Sequence, residues 1–116
     1  MTLIIGGAWQ GKLTWAAKEF GFTPEELCDL AAGAPAPGKR CYYHLEELTR
    51  REEHPERYLP LWEDAVVIAR EIGCGIVPMA PEERAWRERH GALLRSLARR
   101  SEKVYRVFCG LTEEWK

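Results

Sequence analysis

Residues 4–16, IIGGAWQGKLTWA, decide how this chain is read. An apolar run ends at Gly6, four residues intervene, and Gly11 and Lys12 follow. Glycines at such a turn let several backbone N–H groups converge on an anion. The next helix adds its positive end, and the lysine adds a full charge. The pattern predicts a phosphate-binding loop formed by Gly6, Gly7, Ala8, Trp9, Gln10, Gly11, Lys12, Leu13 and Thr14. A plain strand–turn–helix connection without a ligand is the alternative. The loop departs from the usual pattern at Leu13, where a serine or threonine hydroxyl ordinarily meets magnesium. Thr14 is adjacent but turned by about 100° around the helix, a poor substitute if the first turn is regular. Trp9, inside the loop, either stacks on a flat ligand ring or covers the helix N-terminus.

Outward from the loop, Thr2 to Ile5 reads as a buried strand and Lys12 to Phe20 as a helix, with Leu13, Ala16, Ala17 and Phe20 at helical spacing. Gly21 is its expected C-cap. Thr23-Pro24-Glu25-Glu26 reads as a second helix start, with a cap residue, a first-turn proline and two acids at the positive end. The stretch AAGAPAPGK, residues 31–39, is a loop. Cys41 to His44 is a short strand that runs into the charged helix LEELTRREE, and His54-Pro55 interrupts before a short helix near Glu56 to Trp62. Ala65 to Ala69 is apolar on both faces, as an interior strand should be. Gly73 and Gly75 break the chain. Pro81 then opens the longest helix, to about Arg100, with Trp86, Leu93, Leu94 and Leu97 on one stripe. Val104 to Phe108 is the last strand, stopped by Gly110. Strands alternating with helices predict a mainly parallel sheet with right-handed crossovers.

The bulk properties agree with one ordinary domain. The chain has 116 residues, 46% hydrophobic and 30% charged, with a formal net charge of -1. That balance argues against a surface that coats nucleic acid. No apolar run reaches the about 18 residues of a membrane span. The apolar start, ending at Gly6 and lacking a basic region, is too short for a secretion signal. Cys28, Cys41, Cys74 and Cys109 are scattered without metal-ligand spacing and read as reduced, mostly buried thiols.

The second half names a family. EIGCGIVP at residues 71–78, then PEERAWRERHGALLRSLA and VYRVFCGL, closely resemble the bifunctional adenosylcobinamide kinase / adenosylcobinamide-phosphate guanylyltransferase of cobalamin biosynthesis. There a strand ends in Asn-Glu-Val-Gly-x-Gly-Ile-Val-Pro, an Arg-rich helix with a glycine follows, and a strand ends in Ala-Gly-Leu-Pro. The family's loop, Gly-Gly-Ala-Arg-Ser-Gly-Lys-Ser, is Gly-Gly-Ala-Trp-Gln-Gly-Lys-Leu here. The resemblance covers residues 1–17 and 64–116. It implies that Gly6, Gly7, Ala8, Gly11 and Lys12 cradle nucleotide phosphates. It puts Glu71 on the nucleotide and substrate side of the sheet, beside a loop of Gly73, Gly75, Ile76, Val77 and Pro78. Arg84 and Arg87 match the arginines opening the long helix, and Gly91 matches its glycine.

Three parts differ from the family. Its guanylyl-accepting histidine lies in a His-Arg-x-x-Arg-Pro setting, whereas this chain has no histidine before His44 and no His-Arg pair. Its Asp-Cys-Leu-Thr stretch, the Walker B segment, appears as Tyr43-His44-Leu45-Glu46, without the metal-organising Asp. The Asn before its strand-end Glu is Arg70, and the helix's Asn-Gln pair is Leu94-Arg95. His44 as a replacement nucleophile weighs less than a structural role at a strand end. Glu46 and Glu47 lie where an acid could replace the lost Asp, but a solvated face balanced by Arg50 and Arg51 weighs more. The six arginines of residues 81–100, against Glu82, Glu83 and Glu88, read first as a solvated face and second as an anion-facing one.

The expectation is therefore an α/β protein: a P-loop NTPase-like three-layer fold with a small, mainly parallel sheet, forming one domain over residues 1–116. Lys12 and Glu71 are the catalytic candidates, Lys12 against γ-phosphate charge and Glu71 to orient an acceptor or metal-bound water. The ligand is ATP or GTP, with or without Mg2+, and no metal-binding residue set is assigned. The resemblance implies kinase-type transfer to a cobinamide-like small molecule and a homo-oligomer; the cysteine usage, the lack of a long apolar run and the charge balance point to a cytoplasmic setting with no membrane or nucleic-acid partner. Guanylyl transfer is disfavoured. The alternative is a catalytically inactive nucleotide-binding or partner-binding paralogue.

Overall fold

The computed structural model describes residues 1–7, 11–72 and 80–116. Six strands form one sheet in the order β2-β3-β4-β1-β5-β6. These are β1 (Thr2–Gly6), β2 (Leu27–Asp29), β3 (Cys41–Tyr43), β4 (Val66–Arg70), β5 (Lys103–Phe108) and β6 (Leu111–Glu114). All neighbours are parallel except β5 and β6, which form an antiparallel hairpin. The helices are α1 (Lys12–Phe20), α2 (Leu45–Arg51), α3 (Leu59–Trp62) and α4 (Pro81–Arg100).

Side chains that alternate across the strands separate the two faces. Leu3, Tyr42, Val67, Ala69 and Val104 point to one side, where Leu45 and Leu48 of α2, Trp62 of α3 and Leu93 and Leu97 of α4 cover them. Ile4, Cys41, Val66, Ile68 and Val107 point to the other side, where α1 supplies Ala16, Leu13 and Trp15. The result is three layers, as expected. The register stacks Leu3 of β1 between Val67 and Val104, so the central strand is sealed on both edges. Each such buried aliphatic side chain contributes about 1.5–3 kcal/mol. The stripe of α4 is Trp86, His90, Leu93 and Leu97, with Leu94 half-buried.

Two expectations need correction. The segment at Thr23 is no helix beyond a single 3-10 turn, Pro24–Glu26. Its capping signal is real, since the Thr23 N–H and hydroxyl both donate to Glu26 Oε1, at 2.9 and 3.1 Å. Leu27–Asp29 then pairs with Cys41–Tyr43 and becomes edge strand β2, because a partner strand satisfies its backbone. The chain also does not end its sheet at β5; it turns at Gly110, φ 75, and returns as β6. Cys28 and Cys41 are buried thiols, Cys41 pushed up to about 12 by burial, and Cys109 is exposed. Cys74 lies outside the described residues.

Candidate functional site

The loop leaves β1 at Gly6 and enters α1 at Lys12, at the carboxyl ends of parallel strands where ligands of open α/β sheets gather. Gly6 is hemmed in: a Cβ there would meet the Val107 carbonyl oxygen at 2.5 Å. Gly11 is left-handed, φ 77. The first turn of α1 closes regularly, with Trp15 N–H donating to Gly11 O at 2.9 Å. The opening N–H groups of the helix have no carbonyl within it to bond. Lys12 reaches back, its Nζ donating to Gly7 O at 2.7 Å. Burial holds its pKa below the usual lysine value; Glu46 opposes that shift, Arg70 adds to it and Glu71 opposes it. The Leu13 side chain is half-buried against the α1-side core, while Thr14 is exposed. Ala8, Trp9 and Gln10 lie outside the described residues, as do Gly73, Gly75, Ile76, Val77 and Pro78.

A cleft of about 560 Å³ opens in front of this turn. From α1 it is lined by Gly11, Lys12, Leu13 and Thr14, and from the other side by Glu46 and Arg70. Tyr43, His44, Glu47, Ala31 and Ile68 complete it. Glu46 corrects the solvated-face expectation, because only 8% of it is exposed. Its Oε1 accepts the Arg70 N–H at 2.9 Å, supplying the acceptor that the end of β4 lacks. Glu47 remains exposed.

Behind the cleft a buried polar chain fixes Glu46. The Trp86 indole N–H reaches Glu46 O and Thr49 Oγ1, both at 3.1 Å. Thr49 Oγ1 lies 2.8 Å from His90 Nδ1, and His90 Nε2 lies 2.8 Å from Arg70 O. A carbonyl only accepts, so Nε2 carries the proton and Nδ1 accepts from Thr49. Burial holds His90 below its usual pKa and keeps it neutral. Arg89 donates from Nε to Thr49 O at 2.7 Å, so this arginine of α4 tethers α2. Arg84 is exposed and Arg87 half-buried.

Glu71 is placed differently from Lys12. Its N–H donates to Gly6 O at 2.8 Å, and its carboxylate pairs with Arg106 Nε of β5 at 3.4 Å. It is not among the residues lining the cleft, although its charge acts on Lys12. The residues that sequence reasoning undervalued are Glu46 and Arg70, and their signal was position: each ends or follows a strand beside the loop.

A mainly parallel sheet between helical layers, with a glycine turn feeding a helix, is an α/β arrangement consistent with a P-loop-like fold. A family model for cobinamide kinase / cobinamide phosphate guanyltransferase matches residues 44–114, more than half the chain, and the chain belongs to that family. The matched region starts at α2 and takes in α4 and the β5–β6 hairpin, so the glycine turn stands on its own geometry. No curated protein matches the chain. Among the described residues no helix is long and apolar enough to cross a membrane. Among them, too, no three His, Cys, Asp or Glu side chains are grouped to hold a metal ion.

Proposed function

We propose that the chain binds ATP or GTP, with the phosphates on the turn from Gly6 to Thr14, and transfers a phosphoryl group to a hydroxyl of a cobinamide-like small molecule. The observation that carries this reading is the cleft itself. The N-terminus of α1, Lys12 and Arg70 supply positive charge around one space at the carboxyl ends of the strands. Lys12 would exchange its bond to Gly7 O for a phosphate oxygen and stabilise transferred charge. Glu71 bonds to Gly6 through its backbone and holds Arg106, a position from which it would support the loop. The chain would act in the cytoplasm, as a homo-oligomer.

Magnesium binds through one or two carboxylates and substrate phosphates, so a nucleotide-borne ion needs little from the protein. Leu13 offers it no side-chain oxygen. Such an ion, when bound, would neutralise phosphate charge. Guanylyl transfer is left out, because the sequence lacks the histidine setting that the resemblance calls for. A second reading, a nucleotide-binding paralogue without turnover, draws on the same Leu13 side chain, which lines the cleft without offering a hydroxyl.

The test uses γ-labelled ATP or GTP with and without cobinamide, against Lys12→Ala. Label transfer that requires the acceptor and Lys12 supports the kinase. Saturable binding without transfer supports the inactive paralogue. No binding of either nucleotide would refute both.

A further inference from the structure

Asp29 and His44 meet at the carboxyl ends of neighbouring strands, with Oδ1 and Nδ1 2.7 Å apart. The register brings them there, since Asp29 lies opposite Tyr43, the residue before His44. The same carboxylate oxygen accepts the Ala31 N–H at 2.9 Å, which fixes its orientation. Because that oxygen accepts, Nδ1 carries the proton, and a neutral ring leaves its lone pair at Nε2. The His44 backbone is left-handed, φ 63 and ψ 42, a conformation that L-residues rarely adopt without compensation. His44 stands at the N-cap of α2 yet makes no side-chain cap bond. Capping therefore does not explain an imidazole here, where Ser, Asp or Asn is the usual choice. The Tyr43 ring packs against it at 4.7 Å. His44 lines the cleft together with Lys12 of α1, Glu46 and Glu47 of α2 and Arg70 of β4.

We propose that Asp29 and His44 form the general-base dyad for the acceptor hydroxyl, an assignment that rests on the phosphoryl-transfer reading above. His44 Nε2 takes the hydroxyl proton while the oxygen forms a bond to the γ-phosphorus. The bond from that phosphorus to the β,γ-bridging oxygen breaks, and the nucleoside diphosphate leaves with its electron pair. The Asp29 carboxylate stabilises the imidazolium, as an orienting carboxylate does behind other catalytic histidines. The proton then passes to solvent, to which the His44 side chain is 48% exposed.

The test compares the wild type with His44→Asn, Asp29→Asn and His54→Asn, using γ-labelled ATP, cobinamide as acceptor, and calorimetry for ATP binding. Asn tolerates a left-handed backbone, so His44→Asn keeps the turn. His54, paired with Glu56 at 3.4 Å outside the cleft, is the control and keeps wild-type kcat. In His44→Asn, kcat falls about a hundredfold with little change in the KM for ATP. In Asp29→Asn kcat falls by a smaller factor, again with little change in the KM for ATP, because the ring loses the carboxylate that orients it. Unchanged kcat in a folded His44→Asn protein, or ATP binding without turnover in the wild type, overturns the dyad and leaves the nucleotide site standing. A phosphoryl group recovered on His44 makes it a nucleophile and also overturns the assignment. A wild type that binds no ATP removes the site and the dyad together.

Discussion

Replacing Gly6 by alanine separates two reasons for a glycine in the loop. A phosphate cradle calls for backbone freedom, but Gly6 is constrained by its neighbours: an added Cβ would lie 2.5 Å from the Val107 carbonyl oxygen. Neither partner can yield cheaply. Gly6 is held in β1, which pairs with β4 on one edge and with Val107 of β5 on the other. Overpacking of this kind costs about 2–3 kcal/mol. A chain of 116 residues changes its melting temperature by about 4 °C per kcal/mol, so Gly6→Ala lowers Tm by about 8–12 °C. The same substitution at Gly91, in the middle of α4, meets only the tip of the Arg95 side chain at 3.4 Å. There the gain in helix propensity, about 0.5–1 kcal/mol, raises Tm by about 2–4 °C. Differential scanning calorimetry of both variants reads the two signs. A Gly6→Ala protein that melts within error of the wild type would refute the packing argument.

Other predictions follow from the buried chain and from Lys12. Thr49→Val leaves His90 Nδ1 without its partner at 2.8 Å, although Trp86 keeps Glu46 O; the orphaned acceptor costs about 1–3 kcal/mol in urea melts, and Thr49→Ser costs less. His90 has a folded pKa below its usual 6.5, so the unfolded chain binds the proton first. Stability is then full above that value and declines as pH falls through it, a slope that His90→Gln removes from the pH dependence of the urea midpoint. Because burial lowers the Lys12 pKa, nucleotide affinity should fall on the alkaline side at a lower pH than for an ordinary lysine. Glu46→Gln removes the largest opposing charge and moves that fall lower still, readable by titration calorimetry across pH.

The elements legible in the sequence were those whose own side chains carry the signal. AVVIA is apolar on both faces and is the interior strand β4; Lys12–Phe20 and Pro81–Arg100 carry helical stripes and have the expected starts. The edges were not legible. Thr23 and Glu26 write a helix start correctly, but Leu27–Asp29, directly after it, is claimed by β3, a pairing that no local pattern encodes. Leu111–Glu114 is a polar edge strand whose only instruction is the turn at Gly110 and the neighbour β5.

The site divides in the same way. Gly11 and Lys12 announce a turn into a helix by type and spacing. Glu46 looks like one charge among several on a short helix, and becomes buried only because β4 ends beside it with an unpaired Arg70 N–H. Glu71 meets Arg106 across the end of the sheet, since β1 lies between β4 and β5. The Asp29–His44 pair needs β2, the strand the sequence concealed.

The central claim is that the turn at Gly11 and Lys12 holds nucleotide phosphates. Titration calorimetry of ATP and of GTP into the full chain, with Mg2+ or with EDTA, tests it most directly when repeated with Lys12→Ala. The account predicts saturable binding of at least one nucleotide and its loss, or a drop of at least about tenfold, in the variant, as expected when a charge-assisted phosphate contact is removed. Wild-type protein that binds neither nucleotide, or a Lys12→Ala protein that binds as well as the wild type, would contradict it.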